Sequence, residues 1–228
     1  MDIFFKSNNT RLGKKGDSDL FFLLKLINQN IPDFSLKFIP EDDAETFAML
    51  SKAKTEDVPL LNENWIRKCL SIVKPCNLCE LNALMSLYHN GPTELLPIYM
   101  DAKRGMLPQN YQILREIEPL KKTYGIIVYK KQMIDVFTQV ARFSEADALD
   151  FCRVLFQKDR NLIDRYERKL NDSMAQFHMN PTIAVIIKDM TRAFSNESYK
   201  RKIGFWHTVL TYRMVYIKCH YSDVFWQK

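Results

Sequence analysis

The sequence predicts a mainly α-helical protein with at most a few short strands, and three observations carry that expectation. Apolar residues make up 46% of the 228 positions while glycines number six, a balance that favours a packed, helix-rich chain over disorder. Apolar side chains recur at three- and four-residue steps in several segments, among them Ile183, Ile186, Ile187, Met190 and Phe194. Proline and glycine collect at the ends of such segments, as at Pro40, Pro75, Gly91-Pro92 and Gly105. A chain of this length can bury a substantial core, as one unit or as two small lobes.

Taken in order, the chain opens with Met1-Asp2-Ile3-Phe4-Phe5, and Ser7 to Asp17 reads as an exposed loop. A helix is predicted from Ser18 or Asp19, carrying Leu20, Leu23, Leu24 and Ile27 on one face. Ile31-Pro32 and Ile39-Pro40 then punctuate the chain, because proline disfavours helical geometry in the residue before it. Glu41-Asp42-Asp43 places negative charge in the first turn of a second helix, with Phe47, Leu50 and Ala53 along one side. Trp65, Ile66, Cys69, Leu70 and Val73 mark a third helix from about Asn62, stopped by Pro75. A fourth runs from about Leu78 to Tyr88 and ends at His89-Asn90-Gly91-Pro92, and another reaches Arg104.

Lys121 to Gln132 reads as an extended apolar run, Gly125 to Tyr129, feeding an amphipathic helix with Met133, Val136, Phe137 and Val140 at helical spacing. Asn180-Pro181-Thr182 has the form of a helix cap with proline in the first turn. Ile203, Trp206, Leu210, Met214 and Ile217 predict a final amphipathic helix, with His207, Thr211 and Lys218 on another face. There is no internal repeat and no low-complexity tract.

The net charge of +6 and a pI near 9 favour a polyanionic partner such as nucleic acid. The five cysteines (Cys69, Cys76, Cys79, Cys152 and Cys219) are scattered through apolar surroundings without a secretory signal, which suits a reducing cytoplasm. No apolar run approaches the roughly 20 residues that span a bilayer, so the expected protein is soluble and meets no membrane.

Cys76-Asn77-Leu78-Cys79 has the spacing of half a zinc site but lacks a second ligand pair, so no metal is expected there. His89, His178, His207 and His220 are dispersed and read as surface or capping residues. The GxxxxGK[ST], GxGxxG and GxSxG motifs are absent, which removes the usual sequence warrant for an NTPase, a dinucleotide enzyme or a hydrolase. The basic clusters are the positive signal. Lys103-Arg104, Lys121-Lys122, Lys130-Lys131, Arg153 with Lys158, and Lys200-Arg201-Lys202 place positive charge beside aromatic residues, with Tyr199 and Trp206 available to stack on bases. The other reading of the same clusters is a set of solvated helix ends.

The phrase Tyr124-Gly-Ile-Ile-Val-Tyr129 with Gln132 resembles one from the fingers of the bacterial C-family replicative DNA polymerases, the alpha subunit of DNA polymerase III. Ile39-Pro40-Glu41-Asp42-Asp43 with Thr46-Phe47 is similar to that family's IPxDD...TF. Val58 to Pro92 fits without a gap the stretch from VFQLES to FRPGP, and Asp101 to Gly105 resembles DRKHG. Leu210-Thr211-Tyr212 through Tyr216-Ile217-Lys218-Cys219-His220-Tyr221 with Phe225 resembles SYQ...YLKAHYPxEF. The resemblance covers roughly residues 39–228, leaving 1–38 as an N-terminal segment that is either a palm remnant or a cap. It implies a helical fingers domain that grips the incoming nucleotide, with the catalytic aspartates on a neighbouring palm.

The resemblance brings no palm aspartate pair with it. Asp2 is the one weak candidate, by its likeness to the last aspartate of a DFLGL phrase. Two metals held by carboxylates are needed for phosphoryl transfer, so the isolated chain is expected to catalyse none. Working positions also depart from the family. Counted from Phe143, its arginine pair falls on Cys152 and Arg153, NKSH falls on Lys200-Arg201-Lys202-Ile203, and YQEQ becomes Tyr129-Lys130-Lys131-Gln132. RPGP becomes His89-Asn90-Gly91-Pro92, and FQLES becomes Pro59-Leu60-Leu61-Asn62-Glu63.

The expected protein is therefore a non-catalytic DNA-replication protein of a bacterium, phage or mobile element, binding DNA, a replisome component or both. Lys103, Arg104, Lys130, Lys131, Arg153, Lys158, Lys200, Arg201 and Lys202 would hold phosphates. Two other readings stand beside it: the fingers subunit of a split polymerase, for which magnesium would be the only cofactor, and a decoy that captures host replication proteins.

Overall fold

A computed structural model describes residues 14–89, 91–196 and 204–227. Among them run α1 (Lys14–Asn30), α2 (Ala44–Ser51), α3 (Asn64–Val73), α4 (Leu78–His89), α5 (Leu96–Lys103), α6 (Gln109–Gln112), α7 (Lys130–Gln139), α8 (Glu145–Gln157), α9 (Arg160–Gln176), α10 (Pro181–Asn196), α11 (Phe205–His220) and α12 (Ser222–Phe225). Short three-ten segments lie between several of these, and the described residues contain no strand. The mainly helical expectation holds. No described helix is long and apolar enough to cross a membrane. The chain divides into two units, one from residues 1–85 with 201–228 and one from residues 86–200.

In the first unit, α1 begins at Lys14, a turn before the predicted start, and buries Leu23 and Ile27. Asp43 does not sit inside the second helix but caps it. Its Oδ2 accepts from the Thr46 N–H at 2.8 Å and from the Thr46 hydroxyl at 2.6 Å, satisfying donors that the first turn leaves open. Lys74 ends α3 in the left-handed region, at φ 47°, immediately before Pro75. Asn77 Oδ1 accepts from the Glu80 N–H while Glu80 Oε2 accepts from the Cys76 N–H, at 3.0 and 2.8 Å, so the Cys76–Cys79 segment is the reciprocal cap of α4.

The last long helix corrects the sequence expectation. α11 is not amphipathic: every residue from His207 to Val215 is buried, and so are Ile217 and Lys218. Three of its polar groups are satisfied by partners brought from far along the chain. Thr208 donates to Asn82 Oδ1 at 2.9 Å, and the Tyr212 hydroxyl donates to Pro40 O at 2.9 Å while accepting from the Asp43 N–H at 3.0 Å. Lys218 Nζ donates to Glu56 O at 2.6 Å and to Glu56 Oε2 at 3.2 Å. A helix that buries polar groups all round hides the periodicity that would reveal its core face. The phrases at residues 39–47 and 210–221 are therefore two sides of one packed contact.

In the second unit, the segment from Thr123 to Gln132 is organised by one amide. Gln132 Oε1 accepts from the Val128 and Tyr129 N–H groups at 2.9 and 3.0 Å, and its Nε2 donates to Pro119 O at 2.9 Å and Thr123 Oγ1 at 2.7 Å. Ile126, Ile127 and Val128 are buried between this clamp and the start of α7. Gly125 lies at φ 85°, and a Cβ there would stand 3.1 Å from Arg115 N and Leu114 Cβ, so both conformation and space require glycine. Beyond it, Phe137, Phe151 and Tyr166 stack in sequence, with centroids 4.6 and 4.9 Å apart. Glu167, buried on α9, pairs through both oxygens with Arg192 of α10, and the predicted α10 stripe from Ile183 to Phe194 is buried as read.

Candidate nucleic-acid interface

The turn between α7 and α8 sets the geometry of a basic surface in the second unit. Ala141 and Phe143 are both buried, which leaves Arg142 between them facing outward. Its backbone is left-handed, at φ 54°, a conformation that costs a residue with a side chain and is retained where the surroundings enforce it. The Ser173 hydroxyl enforces it from α9 by donating to Ala141 O, and the Arg142 guanidinium lies 5.9 Å from the Phe177 ring. Ser144 then caps α8, accepting from the Asp147 N–H at 3.1 Å.

Arg142 forms one edge of an open groove of about 540 Å³, and α9 forms another with Arg165, Arg168 and Lys169. Positions 165, 168, 169 and 172 fall on one helical stripe, opposite the buried Ile163, Glu167, Leu170 and Met174. Four cations thus face two carboxylates, Asp147 and Asp172. Lys169 pairs with Asp147 at 2.8 Å and lies 5.1 Å from the Phe143 ring. That lysine, helped by the Ser144 hydroxyl, holds the Asp147 carboxyl below its ordinary range. Arg142, Arg165, Arg168 and Lys169 were not among the sequence-predicted contacts. Their signal is the four-residue step from Arg165 to Lys169, masked by the acids interleaved in Asp164-Arg-Tyr-Glu-Arg-Lys169.

Most predicted phosphate ligands in this unit are exposed and already engaged. Lys130 and Lys131 open α7, whose first turn holds no acid, so their charge adds to the positive end of the helix dipole. Lys130 lies 5.4 Å from the Phe156 ring of α8, and Lys131 pairs with Asp135 at 3.2 Å. Arg153 pairs with Asp150 one turn back, while Asp150 also accepts from the Tyr166 hydroxyl at 2.5 Å. The Tyr166 hydroxyl, bonded to that carboxylate and partly buried, is pushed up to about 12. Cys152, the other position of the arginine pair implied by the resemblance, lies in the core, and burial pushes its thiol up to about 11. Lys158 is exposed and ends α8 in the left-handed region, at φ 61°.

Lys103 and Arg104 close α5, and Arg104 lies 3.7 Å from Asp101. In the first unit, Trp206 at the start of α11 is 50% exposed. Asp2, Tyr199, Lys200, Arg201 and Lys202 lie outside the described residues.

The comparisons with known proteins point to one family. The model of the bacterial DNA polymerase III alpha subunit finger domain matches residues 20–178. DNA polymerase III subunit alpha of Halalkalibacterium halodurans is 29% identical over 193 residues, 84% of this chain. That of Bacillus subtilis is 29% identical over 192 residues, 83% of the chain, and that of Staphylococcus aureus strain COL is 27% identical over 218 residues, 94% of the chain. The match spans 17% of the length of the first two relatives and 20% of the third. By sequence, the chain belongs to the finger-domain family of the bacterial DNA polymerase III alpha subunit.

Proposed function

We propose that the chain serves DNA replication as a non-catalytic binding module, holding the phosphate backbone of DNA, alone or within a replisome assembly. The observation that carries this reading is the groove in which Arg142, Arg165, Arg168 and Lys169 outnumber Asp147 and Asp172. Arg165 to Lys169 covers about 6 Å of helix axis at ~1.5 Å per residue, which suits neighbouring phosphates of one strand. Arginines present several donors to a phosphate in a fixed fork. Lys103, Arg104, Lys130, Lys131, Arg153 and Lys158 of the same unit would hold further phosphates, and Lys200, Arg201 and Lys202, with Tyr199 and Trp206 as stacking residues, are proposed contacts in their own right. The non-catalytic part of the reading rests on the resemblance, which covers fingers and no palm.

The test is binding of a labelled single strand and a duplex, by fluorescence anisotropy over a salt series, with wild type and Arg165→Glu/Arg168→Glu. The double variant is expected to bind both substrates about tenfold or more weakly, regardless of sequence, and to reduce the salt slope by about 2. Unchanged affinity and slope would reject the groove as the phosphate site. The same reversal at Lys130 and Lys131 tests whether the start of α7 belongs to that surface.

A further inference from the structure

In the first unit, three side chains of different donor chemistry converge where α2 meets the end of α11. Glu45 is the second residue of α2, while Cys219 and His220 are the last two of α11. A carboxylate oxygen of Glu45, Sγ of Cys219 and a ring nitrogen of His220 lie within 4.8 Å of one another. The imidazole is positioned by two further groups. Its Nε2 lies 2.9 Å from Asp43 Oδ2, and its centroid lies 4.3 Å from that of the Tyr216 ring. Asp43 is anchored in turn, because the same oxygen caps α2 through Thr46.

We propose that Glu45, Cys219 and His220 form a binding site for a zinc-class divalent cation, with Asp43 as the outer carboxylate that orients His220. With Nε2 directed at Asp43, Nδ1 is the nitrogen left for the metal, the arrangement in which a carboxylate fixes the tautomer of a ligating histidine. Sulfur, imidazole and carboxylate together suit zinc, whereas calcium and magnesium prefer oxygen alone. Zinc–ligand bonds of about 2.0 to 2.3 Å put tetrahedral ligand atoms about 3.5 Å apart, so closure needs the three to approach by about 1 Å. Glu45 is exposed and has the side-chain freedom to supply that movement. Water would complete the coordination. The site also lies at the carbonyl end of α11, where the helix dipole favours a cation.

Such a metal would tie α2 to α11 and add to the stability of the first unit, whether or not the chain binds nucleic acid. The test uses the full chain freed of metal with a chelator, then titrated with Co²⁺ as a spectroscopic stand-in and back-titrated with Zn²⁺. The expected result is a thiolate-to-cobalt absorption band that saturates at one equivalent and is displaced by zinc. The band should persist in Cys76→Ser/Cys79→Ser and vanish in Cys219→Ser, with circular dichroism confirming that each variant is folded. Glu45→Gln should weaken cobalt affinity by about tenfold or more. A wild-type chain without the band, a band that survives Cys219→Ser or disappears with the Cys76 and Cys79 pair, or unchanged affinity in Glu45→Gln would overturn the site.

Discussion

Two lysines show how differently the two units use positive charge. Lys218 of the first unit lies 4.9 Å from the Trp226 ring, and Lys169 of the second lies 5.1 Å from the Phe143 ring. Each also meets a carboxylate, Glu56 for the first and Asp147 for the second. Yet the Lys218 side chain is 6% exposed and the Lys169 side chain 47%. Lys218 spends its donors on Glu56, including a backbone carbonyl, and so acts as internal scaffold. Lys169 borders a groove shared with three arginines. The basic balance of the chain is therefore two populations, and burial decides which of them a polyanion can meet.

The sharpest way to break that comparison is Lys218→Ala. It leaves a cavity under Phe225 and Trp226 and removes the partner of Glu56 O, so a loss of about 3 kcal/mol is expected in urea unfolding. DNA affinity of the folded variant should stay at the wild-type value. Arg165→Glu/Arg168→Glu should do the opposite, changing stability by no more than about 0.5 kcal/mol while weakening DNA. If the groove variant were the unstable one, the division into scaffold and contact cations would fail.

Gln132→Leu comes next. It removes four hydrogen bonds from the segment before α7 and leaves buried N–H groups unpaired, at an expected cost of about 2 kcal/mol. Hydrogen exchange should show protection lost from the amides of Val128 and Tyr129 and kept along α11.

Tyr166→Phe removes one partly exposed bond to a carboxylate, and its cost near neutrality is expected to be smaller than that of Gln132→Leu. Its diagnostic is the pH profile. The Tyr166 hydroxyl is raised from 10.0 to about 12, first by its bond to Asp150 and then by burial. Its contribution is therefore complete below pH 10 and lost as pH rises through 12. Asp150 is lowered from 3.8, first by Tyr166 and then by Arg153, so its contribution is complete above pH 3.8 and fades as pH falls below that. Phenylalanine should flatten the alkaline limb and weaken the acid one.

Local signals found the scaffold where one segment carried its own reasons. The α10 stripe and the stop at Pro75 were readable because their causes lie within a few residues. α11 was not, because Thr208, Tyr212 and Lys218 are satisfied by Asn82, Pro40 and Glu56, and no local pattern announces partners so distant. The groove failed for another reason. Along α9 the cations alternate with Asp164, Glu167 and Asp172, so the run reads as a neutral solvated face until Glu167 turns out to be buried against Arg192. Arg142 gives no sequence sign of its outward placement, which comes from its buried neighbours.

The bonds from Tyr212 to Asp43 and Pro40 join residues 169 and 172 positions apart. A ribosome adding about 5 to 20 residues per second takes roughly 10 to 30 s to cover that separation. For most of that interval α2 has been made but α11, the helix that packs on it, does not yet exist. The span from Ser86 to Lys200, which makes up the second unit, is made meanwhile. Vectorial synthesis thus favours the groove-bearing unit as the first to mature, and leaves the earlier-made segments as the part of the nascent chain most dependent on chaperones.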